Sequence, residues 1–232
     1  MVLTVVVTGG TRGIGHAVAR AFAERGDHVV VASREKEAVE ETVSELSALD
    51  GTASGLRADV RDEFDAERLM ERAARTGERD GIDVVVANAG VAHGTPGERP
   101  IDAEPYTAFD DTLRTNVRGV FATIREALPH LTTDARVLVP SGSVAHEAKP
   151  GTGAYAVSKA GAEAVVRAFA ADIDEAVGVV DPGLVATDLT DADRARDPAD
   201  IAPMFVWAAV EADPETLDGE RIDLRTWKSA TR

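Results

Sequence analysis

The chain has 232 residues, and 44% hydrophobic side chains are enough for one sizeable core and too many for wholesale disorder. A formal net charge of −16 argues against nucleic acid as a partner, because binding phosphate needs clustered Lys and Arg. Cysteine is absent, which removes disulfides, thiolate nucleophiles and Cys-based metal sites together.

The first apolar run, 1–7, is far shorter than the ~20 residues a membrane span needs, and no basic segment precedes it. The sequence therefore predicts a cytoplasmic protein with no signal peptide and no membrane partner. Its 41 acidic residues are spread along the chain, and lysine occurs only at Lys36, Lys149, Lys159 and Lys228. An evenly acidic, lysine-poor, alanine-rich chain suits a very salty cytoplasm, where screening suppresses self-repulsion, so a halophilic source is expected.

In chain order, "VLTVVV" (2–7) reads as a buried strand and runs directly into "TGGTRGIG" (8–15), which opens a helix over 13–25. Gly9, Gly13 and Gly15 are spaced as a variant of the dinucleotide-binding turn. Such a turn needs a tight bend, close backbone approach to a pyrophosphate, and free N–H groups at a helix start. Glycines also serve ordinary turns, and it is the position between first strand and first helix that favours a nucleotide. A second strand, "HVVVAS" (28–33), ends in Ser33 and Arg34 with no acid before Glu35. A site for an unphosphorylated ribose usually carries an acid there, whereas Arg34, with Arg12 from the glycine turn, suits a 2′-phosphate. NADP(H) is therefore favoured over NAD(H).

A helix over 35–48, a weaker strand "ASGLRADV" (53–60) and a helix over 62–77 follow. The strand "IDVVVAN" (82–88) leads to a Gly- and Pro-rich loop over 92–105 and a helix over 107–130. The strand "ARVLVPS" (135–141) ends in "SGSVAH" (141–146), and a helix over 155–174 comes next. After the strand "AVGVVDP" (176–182), "TDLTDADRARDP" (187–198) reads as a charged loop or short helical lid. A helix over 198–211 and a last strand "ERIDL" (220–224) complete the chain. Near-continuous apolar strands alternating with helices predict an α/β fold: a Rossmann-like, doubly wound parallel sheet of about seven strands with helices on both faces. No internal repeat or linker interrupts it, so 1–232 is read as a single dinucleotide-binding and catalytic domain.

The stretch "AYAVSKAG" (154–161) holds one of two tyrosines and one of four lysines. Tyr155 and Lys159 are four residues apart and share a helix face. Alone, the pair is as consistent with a core aromatic and a solvated lysine as with chemistry. Ser143 lies just past a strand's carboxyl end, where open α/β sheets place their ligands, and so comes near the glycine turn.

Taken in order, these motifs resemble the short-chain dehydrogenase/reductase family of compact single-domain type, over nearly the whole chain. Its glycine turn is matched by Thr8 to Gly15, its strand-four motif by Asn88-Ala89-Gly90, and its helix asparagine by Asn116. Its serine is matched by Ser143, its Tyr-x-x-x-Lys pair by Tyr155 and Lys159, and its later motif by Pro182-Gly183 with Thr187. The resemblance implies that Tyr155 exchanges a proton with the substrate oxygen while a hydride passes between nicotinamide and carbon. Lys159 would favour the phenolate and hold the nicotinamide ribose, Ser143 would hold the substrate oxygen, and Asn116 would support a water chain. The implied cofactor contacts are Gly9, Thr11, Arg12, Gly13, Ile14 and Gly15 in the turn, then Ser33, Arg34, Asp59 and Val60. Asn88, Ala89, Gly90, Tyr155, Lys159, Pro182, Gly183, Val185 and Thr187 complete them.

The stretch from Ser143 to Tyr155 is one residue shorter than in the family, which keeps Ser141 as an alternative serine. The segments from Lys159 to Pro182 and after Gly183 are also short, so an open, permissive pocket is expected. His93 and His146 follow strand ends and are candidates for substrate contact. The five histidines show no metal-ligand spacing, and no metal is expected. The implied function is an NADP(H)-dependent oxidoreductase acting on a small carbonyl or alcohol substrate, as a homodimer or homotetramer. A catalytically silent NADP(H)-sensing module is the alternative, though a sensor needs only the first half of the site.

Overall fold

Short valine-rich segments build the sheet, and alternate side chains within them separate its two faces. The computed structural model describes residues 1–77, 80–95, 97–190 and 195–232. Seven strands form one sheet: β1 (Thr4–Thr8), β2 (His28–Ser33), β3 (Thr52–Arg57), β4 (Ile82–Ala87), β5 (Leu131–Pro140), β6 (Ala176–Asp181) and β7 (Arg221–Asp223). Their order is β3-β2-β1-β4-β5-β6-β7, and every pairing is parallel. Parallel strands need crossovers, and helices supply them: α1 (Gly13–Glu24), α2 (Lys36–Leu46), α3 (Glu63–Thr76), α4 (Tyr106–Leu113), α5 (Gly119–Ala127) and α6 (Gly153–Asp172). The chain closes with α7 (Pro198–Val210), the single turn α8 (Pro214–Leu217) and α9 (Leu224–Ala230).

The period of two is visible in the core. Val5 and Val7 pack in one cluster with Phe22 of α1 and Phe205 of α7, whereas Val6 packs in the other with Leu69 of α3, Ile124 of α5 and Val166 of α6. Both faces are therefore covered, as the continuous apolar strands require. At about 25 cal/mol per Å² of apolar surface, each buried valine contributes on the order of 1.5–3 kcal/mol before chain entropy is subtracted. The strand order reverses between β1 and β4, and the crevice outside their carboxyl ends is where such a sheet takes ligands.

The structure departs from the sequence expectations at several boundaries. The helix expected over 107–130 divides into α4, a π-helical turn at Arg114–Arg118, α5 and a 3₁₀ turn at Leu128–His130. The fifth strand begins at Leu131, four residues early, and a register irregularity against β4 lies between Ile82 and Val84. The short path from Lys159 to Pro182 is absorbed because α6 ends at Asp172 and residues 173–175 alone connect it to β6. Unpredicted α9 follows β7 at once, its N-terminus capped by Asp223, which accepts from the Thr226 N–H at 2.7 Å. Of the charged stretch 187–198, residues 191–194 lie outside the described residues.

Candidate active site

Where β1 ends, the glycine turn wraps over the sheet edge and delivers the start of α1. Gly9 donates its N–H to Ala32 O at 2.8 Å, which ties the turn to β2. Gly13 opens the helix at φ +54, and a Cβ there would meet Thr187 Cγ2 at 3.2 Å. The N-cap of α1 is Arg12 in extended conformation, with no side-chain cap and no acid in the first turn. The leading N–H groups of α1 are thus left for a ligand, and the helix dipole favours an anion there. These features fit a dinucleotide pyrophosphate. Gly15 lies behind the turn, outside the cavity lining, because its Cα abuts the Gly9 carbonyl; a Cβ there would stand 2.3 Å from that oxygen.

Asn88 braces the turn from β4. Its Nδ2 donates to the carbonyls of Thr8 and Gly9 at 3.0 and 3.1 Å, and Thr8 Oγ1 accepts from the N–H groups of Asn88 and Ala89. The Asn88 side chain therefore holds backbone, while the residue still lines the cavity. That cavity, about 440 Å³, runs along the carboxyl ends of the strands. It collects Thr11, Arg12 and Ile14 from the turn, Ser33 and Arg34 from β2, and Asp59 and Val60 after β3. Ala89 and Gly90 after β4, Ser143 after β5, Tyr155 and Lys159 on α6, and Pro182, Gly183, Val185 and Thr187 after β6 complete the predicted set. Of the predicted catalytic and cofactor-binding residues, only Gly15 and Asn116 do not line it.

Arg34 has no hydrogen bond or ion pair with any described residue; Asp59 reaches it through charge alone. Arg12 instead pairs with Asp188 across the cavity mouth at 3.1 Å. Arg61 grips Asp59 at 2.6 Å and also donates to Asp111 at 2.6 Å, and Asp111 in turn meets His93 at 2.9 Å. The hydrogen bond from Arg61 holds the Asp59 carboxyl below its ordinary range. Burial pushes Asp111 up, but its bonds to His93 and Arg61 outweigh that and leave it low.

The start of α6 places the tyrosine. Gly153 adopts φ +43 against the Glu104 carboxylate, which accepts from the Ala154 N–H at 3.0 Å and so satisfies an otherwise open donor of the helix. Tyr155 then falls in the first turn. Lys159, one turn later, sits 5.6 Å from the Tyr155 ring centroid and donates to Pro140 O, at the end of β5, at 2.9 Å. Ser158, between them, donates to Tyr155 O and accepts from Asn116 Nδ2 at 2.9 Å. Asn116 also grips both polar groups of the Val91 backbone, at 2.8 and 2.9 Å, so both its N–H donors are used within the protein and Oδ1 keeps one acceptor site. It belongs to the π-helical turn, whose neighbour Thr115 lines the cavity. Thr115 Oγ1 is buried with no partner among the described residues, a hydroxyl ready for water or ligand.

The two serines separate clearly. Ser141 Oγ donates to Glu163 at 2.6 Å, within a cluster in which Arg221 of β7 pairs with Glu163 and, at 3.3 Å, with Asp181. Ser143, in a 3₁₀ turn, accepts a hydrogen bond from Lys149, and both serines line the cavity. Neither histidine singled out from the sequence lines it: His93 is held by Asp111, and His146 by Arg221 at 2.7 Å. Sequence reasoning missed Thr115, Lys149 and the apolar pair Leu184 and Leu189, all on the lining. The scarcity of lysine was the available signal for Lys149. No group of three or more metal-ligating side chains is found among the described residues.

A family model described as short chain dehydrogenase matches residues 3–198. Over 191 residues the chain is 37% identical to the short chain dehydrogenase/reductase AacuN of Aspergillus aculeatus, covering 79% of this chain and 69% of that protein. It is 35% identical over 191 residues to a 2-(R)-hydroxypropyl-CoM dehydrogenase of Xanthobacter autotrophicus, covering 80% and 75% of the two chains. Among solved structures it is similar to a short chain dehydrogenase from Burkholderia cenocepacia in complex with NADP, with a TM-score of 0.84 and 26% identity over 94% of each chain.

Proposed function

The chain belongs to the short-chain dehydrogenase family and is an oxidoreductase of CH–OH or carbonyl groups, and from that premise we propose an NADP(H)-dependent enzyme with Tyr155 as proton donor and acceptor. The observation that carries the reading is one cavity that joins an uncapped helix N-terminus and its glycine turn to Ser143, Tyr155 and Lys159.

When bound, the nicotinamide supplies the hydride that reduces a carbonyl carbon and takes it back from an alcohol. The protein must then manage charge and one proton. Ser143 donates to the substrate oxygen and steadies its developing negative charge. The Tyr155 hydroxyl gives that oxygen its proton in reduction and recovers it in oxidation. Lys159 spends one of three N–H donors on Pro140, and its ammonium attracts the charge left on the phenol oxygen. Asn116 positions Val91 and Ser158 and keeps one acceptor site on Oδ1, and it supports a water chain from Lys159 to solvent that the neighbouring, unpartnered Thr115 Oγ1 can join. Gly9, Thr11, Gly13 and Ile14 take the pyrophosphate side, Ser33 and Arg34 the 2′-phosphate, Asp59 and Val60 the adenine, and Gly183, Val185 and Thr187 the carboxamide.

NADP(H) is preferred over NAD(H) in this reading because the unpartnered cation Arg34 stands where an acid would suit a free 2′-hydroxyl. We also infer a single cytoplasmic domain of 1–232 from a halophilic source. None of the described helices is long and apolar enough to cross a membrane. A homodimer or homotetramer is supported by Phe121 and Val157, 41% and 43% exposed on α5 and α6, and light scattering at low and high KCl checks it.

Substitution of Tyr155 by Phe tests the function. The variant should bind NADPH as the parent does and lose about 10²- to 10⁴-fold in ketone-dependent NADPH oxidation, the range for one general acid. Tight NADPH binding without turnover of any ketone by the parent enzyme would favour the sensing module instead.

A further inference from the structure

We propose that Lys149 is a carboxylate anchor, and that the natural substrate is a short oxo acid whose carboxylate lies one or two carbons from the carbonyl. This deepens the reductase reading and rests on it. Two of the four lysines line the cavity, Lys159 and Lys149, and only Lys159 is absorbed by the proton chemistry. Lys149 comes from the loop between β5 and α6, on the substrate side of the cavity. Its ammonium donates to Ser143 Oγ, the atom that would hold the substrate carbonyl oxygen.

The same ammonium pairs with Glu147 Oε2 at 3.1 Å. The Glu147 carboxyl is held below its ordinary range, first by its hydrogen bond to Lys149 and then by that charge, with Ser143 also contributing a bond. The Lys149 ammonium thus holds a carboxylate of the protein and the Ser143 hydroxyl at once. An oxo acid presents the same two features to those two groups: a carbonyl oxygen for Ser143 and a carboxylate for Lys149. Glu147 is not on the cavity lining, and its side chain is 53% exposed, so it can yield to a substrate carboxylate from the solvent side. With Nζ one hydrogen bond from Ser143 Oγ, only a short spacer between carbonyl and carboxylate fits.

The global charge makes this cation informative. On a chain of net charge −16, an anionic substrate is repelled at long range and needs a local cation to bind. A neutral ketone needs none. A lysine beside the serine that would hold the substrate oxygen is therefore explained by an anionic substrate, whereas a neutral one leaves it only its exposed tie to Glu147 and its bond to Ser143.

The test compares acetoacetate and 2-oxobutanoate with their methyl esters, which keep the carbonyl and remove the charge. Wild type should prefer each acid over its ester. Lys149→Gln should lower kcat/KM for the acids about 10- to 100-fold more than for the esters, mainly through KM, and Lys149→Arg should restore most of the preference. Glu147→Gln should tighten the acids by removing the internal competitor. Calorimetric titration of 2-oxobutanoate into the NADP⁺-loaded protein gives a readout free of turnover, and the Lys149→Gln variant should lose that binding. Equal loss for acids and esters would overturn the anchor and leave Lys149 acting through Ser143. Acid binding no tighter than ester binding would overturn it outright. If the esters turn over and Tyr155→Phe abolishes that turnover, the reductase reading stands whatever becomes of the anchor.

Discussion

The proposed preference for NADP(H) rests on Arg34, and the contribution of that residue can be worked from its surroundings. Its guanidinium is exposed at the end of β2, it has no partner among the described residues, and Asp59 is the acid that acts on it. A 2′-phosphate there would carry close to two negative charges. At ~4 Å the attraction between unit charges is about 1 kcal/mol in bulk water and about 4 kcal/mol at an effective dielectric of 20. A rim site lies between these limits, and charge-assisted hydrogen bonds are worth about 1.5–3 kcal/mol. Replacing Arg34 with Ala should therefore weaken NADPH about 10- to 100-fold more than NADH, since each 1.36 kcal/mol is about tenfold. Arg34→Asp should move the preference toward NADH, because an acid at this place accepts from a free 2′-hydroxyl and repels a phosphate. Cofactor fluorescence titrations at fixed ionic strength measure both constants. Parallel losses for the two cofactors would refute the reasoning, and so would no loss for either.

Two further outcomes concern the scaffold. Removing the Glu104 carboxylate (Glu104→Ala) leaves the Ala154 N–H unpaired at the start of α6, and should cost about 1–2 kcal/mol in chemical denaturation and lower kcat by misplacing Tyr155. An unchanged midpoint and kcat would mean that the cap is incidental. Asp59 and Asp111 both have carboxyls held low in the folded state, so they add stability above the unfolded carboxylate range that is lost as pH falls through their folded values. The stability gap between wild type and Arg61→Gln should accordingly be open at neutral pH and close on acidification below about pH 4. A gap of constant size down to acid pH would contradict it.

What the sequence disclosed was what local chemistry decides. Uniform valine runs fix which segments are strands, because no other conformation lets a β-branched run cover both faces of a sheet. The glycine turn was legible because its demands act within eight residues, and Tyr155 and Lys159 because helical spacing alone puts them on one face. The rest was set at long range. The π-helical turn inside 107–130 coincides with Asn116 reaching back to Val91, 25 residues away, which no periodicity in the helix itself announces. Ser141 stood as the alternative to Ser143, and its partner is set at long range: Glu163, held by Arg221 from 58 residues further on, takes its hydroxyl. The histidines misled for the same reason: a strand-end position places a residue near a crevice, but Asp111 and Arg221 decide where each ring is held. The last helix carried only one short signal, Asp223 as an N-cap, because the Thr226 N–H it accepts from is one that almost any residue supplies.

The cations around the cavity divide according to what neutralises them, and that division says more than their number. Arg12 is matched by Asp188, Arg61 by Asp59 and Asp111, and Arg221 by Glu163 and Asp181. The Arg61 and Arg221 pairs are largely shielded and join separate parts of the chain, so their charges are committed to structure, whereas the Arg12–Asp188 pair, 66% and 72% exposed, ties the cavity mouth only loosely. Arg34 and Lys159 have no carboxylate within ion-pair distance among the described residues, and they flank opposite ends of the same cavity. A chain with 41 acidic residues has carboxylates to spare, so leaving these two cations unmatched cannot follow from scarcity of partners. It follows more simply if an anionic ligand completes one end and a transient oxyanion the other. Lys149 stands between the two classes: it has a carboxylate, but one that is 53% exposed and lies off the cavity lining. A partner bound that loosely serves poorly as a structural tie and well as a group that a substrate carboxylate can replace.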